Sequence, residues 1–146
     1  ARGMLTGDLV EAIRIAIVAG MLLSGLSFFL AARPLSSEWG AALGAALYVL
    51  LPYHAIDLYD RMAFAELCAF VWTPLVFLFV RRTAESGTAG DAIGLALCYA
   101  GLALTHLVTG FVTLFAAVPY GLWLVWRSGR WDRLAGIAGG TINLKQ

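Results

Sequence analysis

Charge is scarce in this sequence. Acidic and basic residues make up 13% of its 146 residues, about half the roughly 25% of a soluble globular domain. The formal net charge is +1, so there is no basic field to hold nucleic acid, and no nucleic-acid partner is expected. The two cysteines, Cys68 and Cys98, lie inside apolar runs. They fit no CxxC spacing for metal or redox chemistry and read as small buried hydrophobes. GxSxG, a Walker A loop, GxGxxG and HExxH are also missing, so the common marks of serine hydrolases, nucleotide binders and zinc proteases are absent. No metal site is expected, and no pattern names a cofactor. The first residues carry neither a basic n-region nor a small-residue cleavage site, unlike a signal peptide.

What is present is apolar. Hydrophobic residues are 61% of the chain and the mean hydropathy is +0.83, more than a water-soluble core of this size can hide. A helix crosses a bilayer with about 20 apolar residues. The runs predict spans at 10–32, 38–52, 61–81, 90–105 and 107–127, with a possible sixth from 134. The expected fold is all-α, a polytopic transmembrane bundle of five to six spans forming one domain over 1–146, as a portion of a longer chain. Arg33-Pro34 closes the first run and Pro52 the second, and Pro74 bends the third. The "THLVTG" segment is either a break between two helices or a bend in one. "RRTAESGTAGD", residues 81–91, is expected to be a flexible loop.

Arginine gives an orientation. Arg33, Arg81, Arg82, Arg127, Arg130 and Arg133 follow the first, third and fifth runs. His54, Asp57, Asp60, Arg61 and His106 follow the second and fourth. The positive-inside rule makes the arginine-rich side cytoplasmic and turns His54 to Arg61 and His106 outward. A multi-pass protein of the cell membrane is expected. The chain then enters from outside, which implies at least one further span before residue 1.

Paired glycines suggest close helix contacts. Gly40 and Gly44, Gly90 and Gly94, and Gly136 and Gly140 are each four apart, a spacing that lets backbones approach in lipid. A chain rich in Gly and Ala also produces such pairs by chance.

The rare charges gather in "LPYHAIDLYDRMAFAELCAF", residues 51–70. In a helix, Tyr53, Asp57 and Arg61 share a face, and Asp57 pairs with Arg61. Asp60 is placed to cap the third run. Glu66 falls five residues into that run, where a carboxylate needs a protein partner, a wet cavity or a proton. Its bland reading is a hydrogen bond to a Thr or Tyr of another helix. For Asp57 and Asp60 the bland reading is a solvated loop and a cap. For His106 it is a structurally satisfied imidazole, set against proton transfer with Glu66 or haem ligation. The catalytic candidates are Glu66, Asp57 and His106. Arg61 and Tyr53 are the candidates for holding a lipid phosphate.

Tyr48, Pro52, Tyr53, Arg61, Ala65, Glu66, Ala69, Pro74 and Leu75, followed by "LTHLVTGF", form a pattern. It resembles large bacterial integral membrane proteins of the 6-pyruvoyl-tetrahydropterin-synthase-related family. That family is similar to polytopic glycosyltransferases of the C superfamily, which use polyprenyl-phosphate sugars. The resemblance implies no pterin chemistry. It does imply an acidic catalytic motif on an earlier outer loop, before residue 1, which leaves Arg61, Glu66 and His106 as supporting groups. The leading expectation is thus the membrane portion of a lipid-linked-sugar glycosyltransferase. The alternative is a non-catalytic subunit of a larger energy-transducing or photosynthetic membrane complex. A transporter with a Glu66–His106 proton relay is third. The corresponding partners are membrane lipid, a polyprenyl-phosphate sugar, and other membrane subunits.

Overall fold

The computed structural model describes residues 2–59 and 63–129, with the backbone alone at 2–7, 55 and 57–59. All regular structure there is helical. The elements are α1 (Arg2–Ala32), α2 (Glu38–Val49), α3 (Pro52–Tyr59), α4 (Phe64–Ser86), α5 (Ala89–Thr105) and α6 (Leu107–Ser128). The expected all-α class holds. The apolar run from 134 lies outside the described residues, as do Gly136 and Gly140.

Three helices among the described residues are long and apolar enough to cross a bilayer: α1 from Asp8, α4 and α6. The other apolar segments are shorter. α5 has 17 residues and α2 only 12. At 1.5 Å per residue α2 is about 18 Å long, against a hydrocarbon layer of about 30 Å.

The breaks follow from local chemistry. α1 ends at Arg33-Pro34. Ser37 then caps α2, its hydroxyl accepting from the Gly40 N–H at 3.1 Å, while Arg33 reaches across the turn to Glu38 at 2.6 Å. Pro52 both follows the end of α2 and begins α3. The first helical position is where its missing N–H costs nothing.

The expected flexible loop over 81–91 is nearly all helix. α4 runs on to Ser86, helped by the Arg81–Glu85 pair one turn apart. Gly87, at φ 65°, closes it in the left-handed conformation that glycine tolerates. Thr88 at once caps α5, accepting from the Asp91 N–H at 3.2 Å, and the Asp91 carboxylate accepts from the Thr88 and Ser86 hydroxyls. Those two bonds hold the Asp91 carboxyl below its usual range.

"THLVTG" is a true break. His106 leaves helical geometry (φ −153°, ψ 101°) between α5 and α6. The chain folds back there: a Cβ added at Gly110 would lie 3.3 Å from the Ala103 Cα. In one continuous helix these residues would stand about 10 Å apart.

α4 is the hub. It packs against α1, α3, α5 and α6, and α2 lies on α1. A third of the α4 span is buried, against 17% for α1. The core joins Ala69 and Val76 of α4 to Cys98 and Leu102 of α5 and Ala117 of α6. α5 comes close to α4 because glycine removes the side chain at two contacts. The Phe79 ring lies over Gly94, and the Trp72 ring stands 2.9 Å from where a Gly101 Cβ would be.

Candidate functional site

The cluster within residues 51–70 resolves into paired contacts between the α2–α3 segment and α4. Glu66 is the centre. α4 begins at Phe64, so Glu66 stands in its first turn, not five residues deep. A carboxylate there meets the positive end of the helix, and Ala63, the capping residue, offers no side-chain acceptor. Glu66 is only 6% exposed. The Tyr53 hydroxyl donates to its Oε1 at 2.7 Å. The bond joins α3 to α4 across thirteen residues of sequence.

His54, expected on the outward side, is packed inside the bundle at 1% exposed. Its ring lies 4.2 Å from that of Phe70 and meets the Tyr48 ring edge-on at 5.2 Å. Tyr53 also meets Phe70 edge-on at 5.8 Å. The first turn of α3 turns His54 toward Phe70 of α4. The backbone of α3 places Tyr53 and Asp57 one turn apart on one face. The side chain of Asp57 and the whole of Asp60 and Arg61 lie outside the described residues.

Tyr48 and Phe70 are the pair that sequence reasoning missed. Pro74 lies inside α4 and has no N–H to give the carbonyl four residues back, that of Phe70. The Tyr48 hydroxyl from α2 donates to that carbonyl at 3.1 Å. The Tyr48 ring is meanwhile stacked on Phe28 of α1 at 4.8 Å. Counting back from Pro74 would have found the acceptor.

His106 is at another place and has another job. Its Nδ1 accepts from the Thr109 N–H at 3.3 Å and lies 2.7 Å from the Thr109 hydroxyl, so it caps α6. That role uses the Nδ1 lone pair and puts the proton of the neutral ring on Nε2.

The paired glycines divide. A Cβ at Gly44 would meet the Phe28 ring at 2.9 Å, and Gly94 lies under Phe79. Gly40 and Gly90 face only their own capping residues.

An all-helical bundle with spans this apolar, and with charge held near helix ends, defines an integral membrane protein. The model of the 6-pyruvoyl-tetrahydropterin synthase related domain, a membrane protein, matches residues 1–137. The chain belongs to that family. The match carries membrane character and says nothing of glycosyl transfer. Comparison with curated proteins and with solved structures gives no match.

Proposed function

We propose that the chain is the membrane portion of a glycosyltransferase-like protein that handles a polyprenyl-phosphate sugar at the end of the bundle where Tyr53 meets Glu66. The observation that carries this reading is the 2.7 Å bond from the Tyr53 hydroxyl to the buried Glu66 carboxylate. A carboxylate kept from bulk water, and already holding one hydroxyl, suits accepting the proton of another. In this reading Arg61, three residues before α4 in the sequence, takes the lipid phosphate, and Asp57 is a second candidate carboxylate. The acceptor hydroxyl gives its proton to a carboxylate and attacks the anomeric carbon. The bond from that carbon to the phosphate oxygen breaks with inversion, and the polyprenyl phosphate leaves with the electron pair. The arginine-rich end is read as cytoplasmic and the Tyr53–Glu66 end as outward.

The test uses the full-length protein in lipid vesicles with a polyprenyl-phosphate sugar radiolabelled in the sugar. Wild type should hold or transfer the label, and Glu66→Gln should do so at least tenfold less while its melting temperature stays close to wild type. Equal behaviour of the two proteins would sink the reading. So would retention of the label no better than in vesicles without protein.

A second reading, a non-catalytic subunit of a larger energy-transducing or photosynthetic membrane complex, draws on the outer faces of the bundle. Leu22, Phe115 and Trp126 are all largely exposed, and other helices could cover them as well as lipid could. Co-purification of stoichiometric partner chains in mild detergent would favour it. A proton relay has less support, because it asks His106 to exchange protons while the Thr109 N–H holds its Nδ1.

A further inference from the structure

A cavity of about 280 Å³ lies between α1, α2, α4 and α6, away from the Tyr53–Glu66 contact. Its walls include Phe28, Tyr48, Pro74, Phe77 and Tyr120, and Arg81 is the one charged residue among the described residues that line it. Leu35, in the turn after α1, also lines it and is 67% exposed, so the cavity opens at the surface near the arginine-rich end. From Thr73 to Arg81 the wall follows eight residues of α4, about 12 Å.

Arg81 makes the cavity amphipathic. Its side chain is 19% exposed and its Nε donates to Glu85 at 2.7 Å. A guanidinium has five N–H donors. The Arg81 Nη1 is buried and finds no acceptor among the described residues, an arrangement that costs free energy until an acceptor arrives. The other described arginines at this end are occupied: Arg33 by Glu38, Arg82 over the Phe79 ring and Arg127 over the Trp123 ring.

We propose that this cavity binds one acyl chain of an anionic diacyl phospholipid, with the lipid phosphate accepting from Arg81. A guanidinium is matched by the oxygens of a phosphate, and basic residues beside a bilayer attract anionic headgroups. The carbon-lined trough beneath supplies the place for the chain. Arg81 lies fifteen residues from Glu66 along α4, about 22 Å. The lipid therefore sits in the opposite leaflet from the proposed sugar-phosphate site and is independent of it.

The experiment is native mass spectrometry of the full-length protein from nanodiscs of phosphatidylglycerol and phosphatidylcholine in equal amounts. Wild type should retain one phosphatidylglycerol with at least fivefold preference. Arg81→Gln should abolish the preference, and Ala31→Trp, which fills the cavity, should abolish retention. A phosphatidylglycerol with a photoreactive acyl chain should label wild type at residues 73–81, whether or not the tryptophan variant folds. Three results would overturn the proposal: equal retention of the two lipids by wild type, unchanged preference in Arg81→Gln, or labelling confined to other residues. Preferential labelling of this cavity by a polyprenyl phosphate over phosphatidylglycerol would also overturn it. None of these outcomes bears on Glu66→Gln and the labelled sugar.

Discussion

The Tyr48 hydroxyl of α2 supplies Phe70 of α4 with the hydrogen bond that Pro74 withholds. One helix thus repairs a gap in another, within a bundle where water is a poor substitute. Tyr48 and Pro74 are distant in sequence and belong to the same family-like pattern. The contact gives a physical reason for finding them together.

This exchange can be measured. Tyr48→Phe keeps the ring and removes the donor, leaving a part-buried carbonyl unsatisfied at a cost of about 1–3 kcal/mol. Pro74→Ala restores an N–H to the same carbonyl. In that background Tyr48→Phe should cost much less. Denaturant unfolding in detergent of the two single variants and the double variant checks this; additive costs would refute the exchange.

Tyr53→Phe removes the 2.7 Å bond to Glu66. Removing one partner of a buried hydrogen bond costs about 1–3 kcal/mol, so a loss in that range is expected. Glu66→Gln keeps an acceptor oxygen and should destabilise less than Glu66→Ala. Thermal melts in detergent rank the three.

Glycine substitutions along α5 should diverge in sign. Gly94→Ala drives a methyl into the Phe79 ring, and overpacking typically costs about 1–3 kcal/mol. Gly90→Ala meets nothing closer than the Thr88 hydroxyl at 4.0 Å. It should be neutral or should stabilise, by up to about 1 kcal/mol from helix propensity. Equal effects at the two sites would contradict the packing.

His106→Ala should cost about 0.5–2 kcal/mol, the usual loss for a helix cap. His106→Asn keeps a capping oxygen and should recover most of it. Loss of activity in a well-folded His106→Asn protein would show that the imidazole does more than cap.

Asp91 should make stability depend on acid. Its carboxyl is held low by the Ser86 and Thr88 hydroxyls. The folded form therefore favours the ionised state. The resulting stability is complete above the unfolded value of about 3.9 and fades as pH falls through the lower folded value. Melting temperatures of wild type and Asp91→Ala should differ at pH 7 and converge below about pH 4.

The class of this protein was plain in its sequence. Long apolar runs bounded by arginine and proline have one comfortable solvent, and α1, α4 and α6 follow those runs closely. The α2–α3 segment was harder. Pro52 was legible as a stop, but it is equally a start, and only packing decides whether a helix resumes after it. Glu66 was singled out because carboxylates are rare in apolar runs. Its Tyr53 partner across a helix break needed three dimensions. His54 was misplaced because a single imidazole carries no sign of which way a short helix turns. The acceptor for Tyr48 is a main-chain oxygen, which has no letter in the sequence and shows only by counting back from Pro74. The 81–91 segment looked like a loop by composition, whereas its Ser, Thr and Asp are spent on ending one helix and starting the next.

α2 stops about 12 Å short of a full hydrocarbon layer, at 18 Å against about 30 Å. A helix this short is met in a bilayer by local thinning, by snorkelling of flanking side chains or by association with other helices. Tyr53 and Glu66 stand just beyond its end. Thinning beside α2 would bring water closer to this carboxylate than a full hydrocarbon layer would.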